Sequence, residues 1–198
     1  MKITDLKNPQ NSKCSHLERY TCNSPVATEN EVIDLLVGFV RALQPDYVLE
    51  VGAHEGDATV AIAKALRQNG QGAIYAYERI PQKAERIASR ISSYQNQARV
   101  FASDYKNAHF APPMYDDMRP PPLGFTGFDF CFFDSQRDKR DQEFIHFHKW
   151  IKKGAIVAFH DTGDQSPSRS LVEKLEAQRL VKALYLETPR GIAIGQVI

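Results

Sequence analysis

Short apolar segments alternate with amphipathic helical patterns along most of the chain, and this alternation constrains the fold more than any other feature. The apolar segments are rich in β-branched and aromatic residues and short enough to be buried strands. They lie at residues 47–51, 73–77, 98–102, 128–133 and 155–159. Helical spacing of apolar residues marks residues 29–42, 58–66, 81–91, 142–152 and 168–178. Strands separated by helices predict an α/β fold, with a doubly wound, mostly parallel sheet and helices on both faces.

The segments outside this pattern divide the chain into an N-terminal arm and one domain. Residues 1–28 are polar and irregular, whereas residues 29–198 carry the alternating pattern without an internal repeat. Two further apolar runs, 180–186 and 191–198, predict a pair of final strands that could form a hairpin. The proline-rich stretch 111–122 is either a lid or acceptor-specificity loop, or a stiff surface loop or subunit contact.

Charge and hydropathy narrow the classes of partner. The chain has 25 Lys and Arg residues against 24 Asp and Glu residues, so its net charge does not favour nucleic acid or an anionic membrane as the main partner. No apolar run approaches the roughly 20 residues that span a bilayer. The N-terminus lacks the apolar core of a signal peptide. We therefore expect a cytoplasmic protein that acts on a small molecule, with the apolar helix 29–42 and the proline-rich stretch available for a homodimer.

Polar residues and a glycine occupy or directly follow the carboxyl ends of the predicted strands. They are Glu50, Gly52, Glu78, Asp104, Asp134, His160 and Asp161. Because the carboxyl ends of parallel strands meet at one edge of a sheet, these residues are expected to converge on one rim, where ligands of such sheets bind.

The stretch from Glu50 to Gly56 has the composition of a strand, a tight turn and a helix start. Glycines at positions 52 and 56 let the backbone pass close to a ligand and direct helix amides towards it. Glu78 ends the next strand, where a dinucleotide-binding fold places an acid on ribose hydroxyls. The alternative for Glu78 is a surface carboxylate at a helix N-terminus. NAD favours the pattern G-x-G-x-x-G, and His54 replaces its second glycine, so a ligand without phosphates suits this turn better.

Four short motifs in a fixed order resemble the class I S-adenosylmethionine-dependent methyltransferases. The motifs read VLEVG at 48–52, Glu78, FFDS at 132–135 and KKGAIVAFHDT at 152–162. They are most similar to the small O-methyltransferases of the methyltransferase-24 type, including those that act on sugars and other natural products, over residues 24–198. The resemblance implies a Rossmann-like, seven-stranded sheet with an antiparallel last strand, and S-adenosylmethionine as the cofactor.

The resemblance also implies where the cofactor binds. Glu50 and Gly52 would contact its amino-acid end, and Glu78 its ribose hydroxyls. Ser103 and Asp104 would lie beside adenine, and Asp134 beneath the sulfonium and the methyl group. The full set of expected cofactor-binding residues is Glu50, Gly52, Ala53, His54, Gly56, Glu78, Arg79, Ser103, Asp104 and Asp134. The glycine loop departs from the family, because His54 and Glu55 replace smaller residues often found there.

Asp134 and Asp161 end neighbouring predicted strands, and two such carboxylates are oxygen ligands for Mg²⁺ or another divalent cation. In metal-dependent O-methyltransferases, an acid after the fourth strand and an acidic pair after the fifth hold such an ion. Here His160 stands in place of one acid of that pair, and magnesium accepts nitrogen ligands reluctantly, so His160 is the weakest expected ligand. The sequence leaves open whether a metal is used.

The predicted catalytic residues are His160, Asp134 and Arg137. With an ordinary pKa, His160 could be the general base that removes the acceptor proton. It could instead form a local hydrogen bond while Asp161 caps the following loop. Arg137 occupies a place where some relatives carry a catalytic lysine. It stays protonated, so it could bind an anionic substrate or pair with an acid but not act as a base.

The predicted function is transfer of a methyl group from S-adenosylmethionine to a hydroxyl of a small-molecule acceptor. One alternative is a methyltransferase-like module that binds the cofactor without chemistry, motivated by the unusual glycine loop and by Arg137. A second alternative is an NAD-dependent enzyme, which His54 disfavours.

Overall fold

Seven strands form one sheet in the computed structural model, which describes residues 14–102 and 124–198. The strands are β1 (Tyr47–Val51), β2 (Ala73–Glu78), β3 (Ala98–Ala102), β4 (Phe128–Phe133), β5 (Ile151–His160), β6 (Val181–Leu186) and β7 (Ile192–Val197). The α-helices are α1 (Asn30–Leu43), α2 (Asp57–Asn69), α3 (Pro81–Arg90), α4 (Arg140–Phe147) and α5 (Pro167–Ala177). The strand order is β3-β2-β1-β4-β5-β7-β6, and β7 runs antiparallel to both of its neighbours. The predicted doubly wound, mostly parallel sheet with an antiparallel last strand is confirmed.

The sheet is buried on both faces, because alternate residues of its strands contribute to two hydrophobic cores. On one face, Val48 and Ile74 pack with apolar residues of α1, α2 and α3. On the other face, Leu49 and Tyr75 pack with apolar residues of α4 and α5. Burial of each large apolar side chain stabilises the fold by about 1.5–3 kcal/mol. The run of apolar residues from Tyr47 to Leu49 in β1 follows from this two-sided burial.

The sheet grows in opposite directions from its centre. β2 and β3 follow β1 on one side, and β4 pairs with the other side of β1. The crossover connections therefore leave a crevice outside the carboxyl ends of β1 and β4. Such a topological switch point is where doubly wound sheets bind their ligands.

One predicted helix is wrong at its C-terminal end. The pattern over 142–152 predicts a single helix, but α4 ends at Phe147 and a 3-10 turn covers His148–Trp150. Ile151 begins β5 and is paired with Phe128 of β4. Ile151 continues the apolar spacing of the helix because it is buried in the same core, and a short stretch of sequence cannot distinguish burial on a helix from burial on a strand.

The described part of the predicted N-terminal arm lies against the domain. The backbone nitrogen and the hydroxyl of Thr21 both donate hydrogen bonds to the carboxylate of Glu31 at the start of α1, each over 2.9 Å. Cys22 is buried against Leu17 and Tyr20. Across residues 14–102 and 124–198, the structure contains no helix that is both long and apolar enough to cross a membrane.

Candidate active site

A pocket of about 440 Å³ opens at the carboxyl ends of β1, β2 and β4, beside the central crevice. Small-molecule pockets in proteins have volumes of roughly 300–1,000 Å³. Most of the predicted site residues line it: Glu50, Gly52, Ala53, His54, Glu78, Arg79, Asp134, Arg137 and Asp161. Gly56 caps the helix behind this wall, and His160 is fully buried beneath it. Ser103, Asp104 and the stretch 111–122 lie outside the described residues.

Gly52 allows the ends of three strands to meet at the pocket. Its φ is +94°, and a Cβ atom there would lie 2.5 Å from the backbone nitrogen of Ser135. Gly52 and Ala53 both donate backbone hydrogen bonds to the carbonyl oxygen of Tyr77, at 2.9 and 3.1 Å. The turn after β1 is thereby held between the ends of β2 and β4, a contact that any side chain at position 52 would prevent.

The start of α2 differs slightly from the prediction. The predicted helical pattern begins at residue 58, whereas Asp57 is the first residue of α2 and Gly56 is its N-cap. The Asp57 carboxylate accepts a hydrogen bond from Arg90 of α3 at 2.7 Å, so its charge is paired there. A negative charge in the first turn of α2 also complements the helix dipole.

Glu78 is held in the pocket wall by backbone amides. Its Oε2 accepts from the backbone nitrogen of His54 at 2.8 Å, and its Oε1 accepts from that of Ile80 at 2.9 Å. The side chain is therefore fixed before a ligand binds. Each carboxylate oxygen has a second lone pair, so Glu78 can still accept hydrogen bonds from two hydroxyl groups of a ligand.

Glu50 is a buried carboxyl group with a single hydroxyl partner among the hydrogen bonds described. Thr59 of α2 donates to its Oε2 at 2.5 Å. Burial raises the pKa of Glu50 to about 8, the charges of Asp134 and Glu78 add to this, and the Thr59 hydrogen bond opposes it. Without a ligand, Glu50 is thus largely protonated at neutral pH. A cationic group bound beside it would favour its ionised form.

His54 contributes a neutral imidazole to the pocket wall. Its φ is +53°, in the left-handed region that non-glycine residues rarely adopt. Burial, with the charge of Lys83, lowers the pKa of this half-buried side chain. Arg79, at the end of β2, is exposed at the same wall. His54 therefore presents a side chain where a dinucleotide-binding turn needs open backbone.

Asp134 stands at the end of β4 with three protein donors on its carboxylate. Thr28 donates to Oδ2 at 2.6 Å, while His160 and Arg140 contact Oδ1 at 2.9 and 3.3 Å. Burial disfavours its charge, but the charge and hydrogen bond of His160, with the charge of Arg140, outweigh burial and keep the pKa of Asp134 below its ordinary value. Asp134 is consequently ionised at neutral pH.

His160 is clamped between two carboxylates. Its Nδ1 contacts Asp134, and its Nε2 lies 2.7 Å from Oε2 of Glu29. Burial opposes the imidazolium charge, but the charges of Asp134, Glu29 and Asp161 raise the pKa of His160 to about 10. This arrangement argues against the predicted role of His160 as a general base, because its ring is protonated at neutral pH and both nitrogens are engaged.

Asp161 lies among three arginines. Its Oδ1 accepts from Arg190 Nε at 2.7 Å and Arg137 Nη2 at 3.1 Å, and its Oδ2 accepts from Arg140 Nη2 at 3.2 Å. Burial opposes its ionisation, yet the charges of His160 and the arginines hold the pKa of Asp161 far below its usual range. The two carboxylates predicted as metal ligands are therefore both ion-paired with protein side chains.

Sequence reasoning missed four residues whose side chains contact Asp134, His160 or Asp161. They are Thr28, Glu29, Arg140 and Arg190. Glu29 precedes α1 at a position where a capping residue is expected, and Arg140 begins α4, where a charged residue is usually solvated. Nothing in their spacing distinguishes them from surface charges, and they are buried only because distant segments fold over them.

The strand order and the pocket at the switch point are those of doubly wound α/β proteins that bind ligands there. Solved structures share this fold at low sequence identity. The O-methyltransferase TomG of Streptomyces achromogenes, involved in tomaymycin synthesis and crystallised with S-adenosylmethionine, is 21% identical with a TM-score of 0.69, over 87% of this chain and 82% of that one. An O-methyltransferase of Bacillus cereus, in complex with S-adenosylhomocysteine, is 17% identical with a TM-score of 0.71, over 88% and 84% of the two chains. The S-adenosylhomocysteine-bound methyltransferase PaMTH1 of Podospora anserina is 11% identical with a TM-score of 0.67, over 94% and 83%.

A family model described as a methyltransferase domain matches residues 49–162, which is more than half of the chain. The protein therefore belongs to this family of methyltransferase domains. The matched region runs from β1 to the residue after Asp161, so it includes Glu50, Glu78 and Asp134. No curated protein sequence matches the chain.

Proposed function

We propose that the protein transfers a methyl group from S-adenosylmethionine to a hydroxyl of a small-molecule acceptor. The observation that carries the proposal is a pair of acids in the wall of one pocket at the switch point. Glu50 lies in β1 just before the glycine turn, and Glu78 ends the neighbouring strand β2. The family of methyltransferase domains and the O-methyltransferases of the same fold support it.

The pocket wall fits this cofactor in chemistry as well as in size. Glu78 is fixed by two backbone amides and retains lone pairs for ribose hydroxyls. Glu50 is a buried acid that an α-ammonium group would stabilise in its ionised form. Asp134 is ionised at neutral pH and supplies a negative charge that favours a sulfonium nearby. His54 disfavours the pyrophosphate of NAD at the turn.

Bound S-adenosylmethionine would supply an electrophilic methyl group and leave as S-adenosylhomocysteine, while the proton of the acceptor hydroxyl passes to the solvent. The protein must therefore position the acceptor oxygen and stabilise the charge that develops on it. Arg137 lines the pocket beside Asp161 with its side chain 27% exposed. Its guanidinium stays protonated, so it can donate hydrogen bonds to an acceptor oxygen but cannot remove a proton. In this proposal Arg137 is the acceptor-binding group, and His160 positions Asp134.

Calorimetry with S-adenosylmethionine, S-adenosylhomocysteine and NAD tests the cofactor assignment. We expect both sulfur compounds to bind and Glu78→Ala to weaken their affinity by roughly 100-fold or more, because two hydrogen bonds to a charged acceptor are lost. Glu85→Ala is the matched control, since Glu85 is exposed on α3 outside the pocket. The Glu85→Ala variant should bind both sulfur compounds with the affinity of the wild type.

Turnover is tested by formation of S-adenosylhomocysteine with a panel of phenols, sugars and hydroxy acids. Methylation of a hydroxyl by the wild type supports the proposal. Absence of binding by either sulfur compound would refute it, and binding of NAD alone would favour an NAD-dependent enzyme. Tight cofactor binding with no turnover across the panel would favour a binding module without chemistry.

A further inference from the structure

We propose that this site works without a divalent cation, and that the guanidinium of Arg140 joins Asp134 and Asp161 in the place where a metal ion would otherwise bridge them. The inference rests on the proposed function only in assigning the site to methyl transfer. It concerns the residues of this chain and is tested by metal binding, which needs neither cofactor nor acceptor.

The first argument is the use of the carboxylate oxygens. Asp134 accepts from Thr28 on Oδ2 and contacts Arg140 and His160 through Oδ1. Asp161 accepts from Arg190 and Arg137 on Oδ1 and from Arg140 on Oδ2. All four oxygens thus have protein donors. A metal ion would have to replace several of these hydrogen bonds.

The second argument is the position of Arg140. Its Nη2 lies 3.3 Å from Oδ1 of Asp134 and 3.2 Å from Oδ2 of Asp161, so one nitrogen bridges the two acids. Mg²⁺ or Ca²⁺ would bind the same oxygens at roughly 2.0–2.6 Å, in space that the guanidinium fills. The Arg140 side chain is fully buried, and its Nε is 3.4 Å from the hydroxyl of Ser168 on α5. An ion could take this place only if the buried guanidinium moved away and lost its contacts with both acids.

The third argument is charge. Ligand atoms of Asp134, His160 and Asp161 lie within 4.8 Å of one another, close enough for one ion to contact all three. The protein already supplies positive charge at this place. The three guanidinium groups of Arg137, Arg140 and Arg190 are ion-paired with only two carboxylates, those of Asp134 and Asp161. A divalent cation added to this cluster would meet repulsion from an excess of positive groups.

Manganese binding to the full chain, followed by electron paramagnetic resonance of free Mn²⁺, is the direct test. We expect the wild type to bind no stoichiometric Mn²⁺ at 1:1 to about 10:1 metal, and its melting temperature to be the same in Mg²⁺ and in EDTA. Binding of one Mn²⁺ by the wild type that Asp161→Asn abolishes would overturn the proposal. So would turnover, once an acceptor is found, that EDTA removes and Mg²⁺ restores.

Arg140→Gln adds a test of the guanidinium itself. With no cation between the two acids, we expect the variant to melt roughly 6 °C or more below the wild type, or not to fold, and a folded variant to gain Mn²⁺ binding. If the variant melts at the same temperature as the wild type and binds no Mn²⁺, no cation is needed between the two acids, and the proposal is wrong. Arg169→Gln is the matched control, because Arg169 pairs with Asp164 and Glu173 outside the pocket. S-adenosylhomocysteine binding, measured separately, reports failure of the proposed function and not of this inference.

Discussion

Two carboxyl groups in one pocket wall have opposite pKa shifts because their partners differ. Glu50 meets the hydroxyl of Thr59, which cannot compensate for burial, so its pKa is raised to about 8. Asp134 meets the imidazolium of His160 and the guanidinium of Arg140, so its pKa is lowered despite burial. At neutral pH one acid is largely neutral and the other is charged. Residue type alone therefore does not decide the electrostatics of this wall.

Glu50→Gln should remove a pH dependence from the stability of the ligand-free protein. Above pH 4.5 the unfolded chain loses the Glu50 proton while the folded protein keeps it up to about pH 8, so ionisation favours unfolding over this interval. Relative to the wild type, the variant should gain stability by up to about 1.4 kcal/mol per pH unit between pH 5 and 8. Urea unfolding at pH 5, 7 and 9 measures the difference. Glu85→Gln, at an exposed position, should show no pH-dependent difference in stability from the wild type. Parallel pH profiles for the wild type and Glu50→Gln would contradict the raised pKa of Glu50.

The individual residues of the site were predictable from sequence only where they belong to the chain's regular pattern. Glu50 and Glu78 lie at the carboxyl ends of β1 and β2, and Asp134 directly follows β4, so their convergence on one rim comes from the rule that parallel strands end together. Glu29 and Arg140 are also buried, but they lie at helix starts where charged residues are normally exposed. Their burial depends on contacts between segments far apart in sequence, which no local pattern records.

At the scale of elements, the turn after β1 is the part of the site with least freedom to change. Gly52→Ala places a Cβ atom 2.5 Å from the backbone of Ser135, at a φ of +94° that favours glycine. Gly70→Ala is a matched control, because Gly70 ends α2 with a φ of +77° and has no heavy atom within 4 Å of an added Cβ among the neighbours that the structure describes. Both variants place a side chain at a positive φ, but only Gly52→Ala also creates a close contact, so comparing them separates backbone strain from steric contact.

We expect Gly70→Ala to destabilise the protein by about 1 kcal/mol and to leave S-adenosylhomocysteine affinity unchanged. Gly52→Ala should cost roughly 1–3 kcal/mol more, because the ends of β1 and β4 must move apart, and should weaken the same ligand at least roughly tenfold. Urea unfolding and calorimetry measure the two effects. Equal stability losses in both variants would mean that the close approach of the two strands contributes nothing.

The prediction of elements succeeded where burial and periodicity agree and failed where they do not. β1, β3 and β4 have the predicted bounds because each is a short apolar run between polar turns. The region 142–152 was predicted as one helix, although the chain leaves the helix at Phe147 and enters β5 at Ile151. Both parts bury apolar side chains in one core, so hydrophobicity alone gave no sign of the change.

At the scale of the whole molecule, His160 connects parts of the chain that are far apart in sequence. Glu29 lies at the start of α1, His160 ends β5, and the backbone nitrogen of Arg190, before β7, donates to Oε1 of Glu29 at 3.1 Å. Arg190 also donates to the carbonyl oxygen of Ala27 at 2.9 Å. The segment that precedes α1 is thus fixed to the end of the sheet beside the pocket, and we call this attachment the closure. The ion pair between Glu29 and His160 is one of the contacts that hold it.

A double-mutant cycle with Glu29→Gln and His160→Gln should reveal a coupling of about 2 kcal/mol or more at pH 6, because both side chains are fully buried.

The folded pKa of His160 is about 10, against 6.5 for the free side chain. The stabilisation is therefore complete below pH 6.5 and is lost as pH rises towards 10, since the unfolded chain gives up the proton first. The coupling measured by urea unfolding should accordingly be smaller at pH 9 than at pH 6. The coupling between Glu29 and His160 should also withstand 1 M salt, whereas the exposed pair Glu55 and Arg86 should show a weaker coupling that salt removes. A coupling between Glu29 and His160 as small and as salt-sensitive as that of the exposed pair would show that the closure is not held by a buried imidazolium.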